Sequence, residues 1–313
     1  MAACPPTAEN TTSFYVKSTE TECVTWYRLV GDLDSNTTPL ILLHGGPGAC
    51  HEYMLAFSDL YDAHKIPLIF YDMIGNGKST RFPEKNGVES FWTVQLFIDQ
   101  LENLINHLRL RTRGTKQYDI LGHSFGGMMA ANYAAANPTR LRKLVLAATP
   151  ASAELYKKSL LGIRKMLPEK AQETLDRCER EGKKDSEEYG EANVEFYRRH
   201  LCRMEPWPRE VATSIWHLLD DPTVYRAMWE ASDFEIKGSL RNWTAVHDAP
   251  KIKSETLVLN AQYDEVQDLA VRPFFELIPK AKWAKLKDAS HMAHWEKRDV
   301  YMQLVGDFLT GSK

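Results

Sequence analysis

Apolar and polar positions change their rhythm several times along the chain, and each change predicts an element. In 13–19 and 23–30 they alternate on either side of Glu20-Thr21-Glu22, the pattern of an antiparallel hairpin at a sheet edge. Pro39-Leu40-Ile41-Leu42-Leu43 is instead continuously apolar, as a strand buried on both faces must be. Residues 67–71 repeat that signature, and 52–64 between them have helical content. From 91 to 110 the apolar positions Phe97, Leu101, Leu104, Ile105 and Leu108 keep helical spacing, with Asp99, Glu102, Asn103 and Asn106 on the other side. Further buried strands are expected at 118–121 and 141–147. Strand and helix alternate throughout, which predicts a mostly parallel sheet with helices on both faces.

After Thr149-Pro150 the rhythm stops. Up to about Leu240 no stretch reads as a buried strand; the segment is polar, charged and helical, then rich in aromatics at Trp207, Trp216, Tyr225 and Trp229. The strand pattern resumes at 256–260, followed by a helix at 267–277, a last strand at 282–286 and a last helix at 294–309. The economical organisation is a first core part over 1–150, a helical insertion over 151–240, and a second core part over 241–313, so that the insertion follows the sixth strand.

Composition narrows the function classes. With 313 residues, 43% apolar and 26% charged, the chain is that of a globular protein with a sizeable core. A formal net charge of −3 provides no basic surface for nucleic acid and no attraction to an anionic membrane, so a small-molecule or short-peptide partner is expected. The five cysteines at 4, 23, 50, 178 and 202 form no C-x-x-C pair, and their odd number suggests a reducing compartment. Met1-Ala2-Ala3-Cys4-Pro5-Pro6 does not open like a secretion signal, and no run approaches the roughly 18 apolar residues of a membrane span, so a cytoplasmic location is expected. The sequons at Asn10, Asn36 and Asn242 are then incidental.

The chemistry centres on Gly122-His123-Ser124-Phe125-Gly126, which joins the 118–121 strand to the helix-forming Met128-Met129-Ala130-Ala131. G-x-S-x-G at a strand-to-helix turn lifts a serine above a sheet, and the glycines are needed because strand and helix approach too closely for side chains. A serine hydroxyl is a weak nucleophile and needs a base, an acid to orient that base, and donors for the developing oxyanion. On a parallel sheet these parts come from loops at the carboxyl ends of strands. Asp264, after the 256–260 strand, is the acid of choice over Asp268 and Asp288. His291, after the last strand, is the base of choice over His294, which falls at the start of the last helix. His123 diverges from its neighbour Ser124 and reads as structural. The order serine, acid, histidine is that of an α/β-hydrolase, with the backbone N–H groups of Gly46 and Phe125 as the expected oxyanion donors. No metal-ligand pattern accompanies them.

Taken together, His44-Gly45-Gly46-Pro47-Gly48, Tyr71-Asp72 with Gly75 and Gly77, the serine turn, Tyr263-Asp264-Glu265 and Ser290-His291-Met292 resemble the proline iminopeptidase family of α/β-hydrolases over nearly the whole chain. The resemblance implies an α/β-hydrolase fold with a helical cap, and cofactor-free release of an N-terminal proline or small apolar residue from peptides or amino-acid amides through an acyl-enzyme. It also implies carboxylates that hold the substrate's free α-amine: Glu265 matches one such position, and Asp233 stands where the family's second is usually a glutamate. Met73-Ile74 replaces a more usual glutamine after Asp72. Two alternatives share the fold: an esterase or pathway-specific hydrolase of substrates without a free amine, and a non-catalytic ligand receptor.

Overall fold

The computed structural model describes residues 7–16, 21–184, 186–229 and 234–312. Eight strands form one sheet in the order β1-β2-β4-β3-β5-β6-β7-β8. Here β1 is Thr7–Val16, β2 Thr21–Val30, β3 Leu40–Leu43, β4 Leu68–Tyr71, β5 Tyr118–His123, β6 Leu141–Ala147, β7 Glu255–Ala261 and β8 Ala281–Leu286. The first two strands pair antiparallel with each other, β2 is antiparallel to β4, and all remaining pairs are parallel. Thr21 and Glu22, expected in the hairpin turn, instead begin β2, where Thr21 pairs with Val16.

Both faces of the sheet are covered, which is why β3, β4 and β5 are buried at every position. Ile41, Leu43, Ile69 and Ile120 point into one apolar cluster, together with α2 (Val94–His107) and α3 (Phe125–Ala135). Leu40, Leu42, Leu68, Phe70 and Leu121 point into another, closed by α1 (Asp59–His64) and by the carboxyl-terminal helix. In α2, the side chain of Thr93 caps the start by accepting from Leu96 N at 3.2 Å, so the helix begins three residues later than its apolar periodicity suggests.

Among the described residues five α-helices lie between β6 and β7: α4 Ala153–Arg164, α5 Glu169–Arg180, α6 Glu187–His200, α7 Arg209–Asp220 and α8 Thr223–Met228. The helix α9 (Asp268–Leu277) then precedes β8. The last helix, expected as one piece, is two: α10 Ala293–Glu296 and α11 Arg298–Thr310, broken where Lys297 adopts φ −129° and ψ 47°. The break lets His294 Nε2 and Trp295 Nε1 both reach the carbonyl of Tyr53, at 3.0 and 2.7 Å, while Arg298 pairs with Asp59 at 2.6 and 2.7 Å. Two side-chain anchors facing different ways outweigh continuity of the helix. Among the described residues no helix is long and apolar enough to cross a membrane, and Cys23, Cys50, Cys178 and Cys202 are buried free thiols.

Candidate active site

Ser124 sits between β5 and α3 with φ 54° and ψ −121°, a backbone conformation that L-residues rarely occupy and that marks a functional turn. Its amide is tied to the neighbouring strand by a 2.9 Å bond to the Ala147 carbonyl. The turn tolerates nothing larger than glycine at its flanks. A Cβ on Gly122 would meet the Gly126 carbonyl oxygen at 2.4 Å, and one on Gly126 would meet the Leu43 oxygen at 2.2 Å. Phe125 opens α3, so its N–H has no intrahelical acceptor and stays available. The loop after β3 brings Gly45 and Gly46 beside the serine, on the wall of the same cavity. This loop is held from below: His44 Nδ1 donates to the Gly45 carbonyl at 3.0 Å, while His44 Nε2 accepts from Met73 N at 3.0 Å.

Asp264 follows β7 and His291 follows β8. His291 Nδ1 lies 2.8 Å from Asp264 Oδ1, which also accepts the Val266 amide at 2.8 Å. Both side chains are almost wholly buried, and the imidazole's other nitrogen faces the cavity that Ser124 lines. There Nε2 has a second carboxylate, Glu265, 3.7 Å away. Burial disfavours an imidazolium, but Glu265, then Asp264, outweigh it and raise the His291 pKa to about 9. The other aspartates weighed for this role are engaged elsewhere: Asp268 accepts from Asn260 and Lys285 at 2.9 and 2.8 Å, and Asp288 is exposed.

His123 has a different task. Tyr53 Oη accepts the Gly45 N–H at 2.5 Å and must therefore turn its own hydrogen to His123 Nδ1, at 3.0 Å. That leaves Nε2 as the protonated nitrogen, donating to the His291 carbonyl at 3.0 Å. One chain of hydrogen bonds thus links the Gly45 loop, the serine turn and the histidine loop. Burial, with His291 and His294 nearby, drives the His123 pKa well below its ordinary value, so the ring stays neutral. His294 is likewise buried and pushed down to about 3. Both nitrogens of His123 are committed, whereas His294 gives Nε2 to the Tyr53 carbonyl and keeps Nδ1 buried without a partner.

Glu265 is 13% exposed at its side chain and is held by the insertion. Tyr156 Oη of α4 donates to its Oε1 at 2.5 Å, and Ser159 Oγ donates to its backbone carbonyl at 2.5 Å. Tyr156 and Tyr53 carried no sequence signal, since each acts through a partner far away along the chain. Asp233, the second expected amine-binding residue, lies outside the described residues. Of the insertion's aromatics, Tyr225 and Trp229 line the cavity, Trp207 bonds to the Cys202 carbonyl at 3.0 Å, and Trp216 faces solvent. The cavity measures about 570 Å³.

A second polar cluster, Cys50, His51, Glu52, Asp72 and His217, has ligand-like spacing. The Nδ1 atom of each histidine is already engaged. Arg81 donates to His217 Nδ1 at 3.1 Å, which leaves Nε2 as the ring's hydrogen-bearing nitrogen, and His51 Nδ1 lies 2.9 Å from Asp72 Oδ1. Asp72 also takes the amides of His51 and Lys78, at 2.8 and 2.9 Å, and so braces the loop after β4.

Known proteins agree with this architecture. The model of the alpha/beta hydrolase fold matches residues 38–298. A proline iminopeptidase of Heyndrickxia coagulans is 31% identical over 89% of this chain and 92% of its own length. Among solved structures, VinJ superposes with a TM-score of 0.91 at 40% identity, over 98% of this chain and 99% of its own. The proline iminopeptidase of Mycobacterium smegmatis superposes with a TM-score of 0.86 at 31% identity, covering 97% and 98%.

Proposed function

The chain belongs to the proline iminopeptidase family of α/β-hydrolases, and from that membership we propose that it releases an N-terminal proline or small apolar residue from short peptides or amino-acid amides through an acyl-enzyme. The observation that carries this reading is Glu265: a carboxylate beside His291 Nε2, on the wall of the cavity that Ser124 lines, where it can hold the ammonium of a first residue. Charge-assisted hydrogen bonds to such an ammonium are worth roughly 1.5–3 kcal/mol each, enough to select free-amine substrates over blocked ones.

In this reading His291 Nε2 takes the Ser124 proton as Oγ bonds to the first carbonyl carbon, and Asp264 holds the imidazole orientation through Nδ1. The carbonyl oxygen becomes an oxyanion received by the Gly46 and Phe125 amides. The imidazolium then returns its proton to the leaving amine nitrogen, the C–N bond breaks, and the first residue remains as an ester on Ser124. Water, deprotonated by His291, attacks that ester and frees the residue. The insertion over 151–240 acts as a cap that closes the amine end, with Tyr156 as the positioning residue for Glu265.

Aminoacyl arylamides run beside their N-acetyl analogues test the assignment, together with a fluorophosphonate label on Ser124. The free-amine substrates should turn over more than tenfold faster. Equal rates would move the assignment to an esterase, and a folded protein that takes no label would move it to a ligand receptor.

A further inference from the structure

We propose that Glu265 is also a switch on the base: in the resting enzyme it pairs with a charged His291, and the arriving substrate ammonium takes over Glu265 and releases the imidazole to act. This rests on the amine-recognition reading above. It stands on the geometry of a single atom. His291 Nε2, the nitrogen that must receive the Ser124 proton, has Glu265 Oε1 at 3.7 Å, while Nδ1 is held by Asp264 at 2.8 Å, so a protonated ring lies between two carboxylates. Tyr156 prevents Glu265 from swinging away, because its hydroxyl donates to the same Oε1 at 2.5 Å.

Among the described residues, the remaining groups around the ring supply no competing positive charge at Nε2. His123, from the end of β5, lies tilted against the ring with its centroid 4.6 Å away and is kept neutral by burial and by the other histidines. His294, on α10, is neutral as well. Glu296, also on α10, is turned to the Ser290 amide at 2.8 Å and to the Ser290 hydroxyl, and adds a third negative charge nearby. His200, at the end of α6, offers only its carbonyl, which accepts the His291 N–H at 3.0 Å. With the pKa of the ring raised to about 9, the resting base is mostly charged at pH 7. A cation seated on Glu265 cancels the largest of the charges that maintain this state. One proton then leaves Nε2 for solvent as one ammonium binds, and the charge of the site is unchanged. Neutral esters cannot trigger that exchange, so the device selects for amines in the turnover step and not only in binding.

The probe is L-prolinol, an amine with no carbonyl to attack, titrated calorimetrically into the full-length protein at pH 7.5 in buffers of different ionisation enthalpy. Close to one proton should be released per molecule bound. In parallel, hydrolysis of a neutral acyl ester at pH 7 should rise about tenfold or more in Glu265→Gln, while prolyl arylamide turnover falls. Prolinol binding with no proton release overturns the switch and leaves amine recognition standing. Absence of prolinol binding overturns amine recognition and the switch with it. Should Glu265→Gln fail to fold, proton release by the wild type decides alone.

Discussion

The loops at the carboxyl ends of the strands and the helical insertion above them are built by different physics. Ser124 and Asp264 follow strands buried along nearly their whole length, His291 follows the partly exposed edge strand β8, and the polar atoms behind them are committed: Tyr53 to Gly45 and His123, His123 to the His291 carbonyl, Asp264 to His291 and Val266. The insertion is held together at its surface by exposed pairs such as Lys158–Glu154 and Arg177–Glu188, contacts individually worth about 0–1 kcal/mol. It meets the loops through a few directed bonds, chiefly Tyr156 and Ser159 to Glu265 and the His200 carbonyl to His291. In the proposed reaction the sheet sets the geometry of bond cleavage, and the insertion sets what is offered to it. Such a division lets substrate choice change without disturbing the reacting groups.

The largest effect that tests this division is on the sheet side. Ser124→Ala should lower turnover by a factor on the order of 10⁶ with folding retained, measured by arylamide kinetics and circular dichroism, since the residual rate of such sites comes from binding and oxyanion stabilisation alone. Next, Asp264→Asn should cost about 10⁴ in turnover, because an amide presents the wrong hydrogen-bonding partner to His291 Nδ1. A loss under tenfold would show that the acid is not orienting the base.

The pH profile follows from the His291 pKa of about 9. The base must be neutral, so kcat/KM should rise with pH up to that region, instead of levelling near the ~6.5 of an ordinary histidine. The same group favours the fold while protonated: its contribution is complete below about 6.5 and is lost as pH rises through about 9. His294 has the opposite sign. Its pKa of about 3 means that stability is complete above about 6.5 and declines as pH falls toward 3, which chemical denaturation at a series of pH values would record.

On the insertion side the effects should be smaller. Tyr156→Phe removes the bond that positions Glu265 and should reduce kcat for aminoacyl substrates several-fold while leaving a neutral ester unimpaired; equal losses on both would show a merely structural role. Arg164→Ala breaks pairs with Asp176 at 2.7 Å and Glu179 at 2.9 Å, and a contact with the Phe234 ring at 4.6 Å. Asp176 and Glu179 keep some access to water, so the cost should be about 1–2 kcal/mol, below the ~3–5 of a fully buried pair broken on one side, with little change in kcat.

What was legible in the sequence follows the same line. Strand runs such as Leu40–Leu43 and Leu68–Tyr71 are continuous because both faces are covered; Ser124 and Asp264 come shortly after such runs and His291 after the partly exposed edge strand β8, so short-range pattern reaches them. Phe91 and Trp92, read as helix, precede the Thr93 cap, since apolar spacing alone does not mark where a cap residue turns the chain. Tyr53 meets His123 across 70 positions, and Tyr156 meets Glu265 across 109; no local pattern encodes such pairings. The break at Lys297 also escaped, because it depends on the Tyr53 carbonyl that His294 and Trp295 share.

The most direct test of the central claim compares one pair of substrates, a prolyl arylamide and its N-acetyl analogue, on wild type and Glu265→Gln. If Glu265 reads the amine, the wild type should prefer the free amine more than tenfold in kcat/KM, and the substitution should collapse that preference mainly through the free-amine substrate. An undiminished preference in Glu265→Gln would contradict the account.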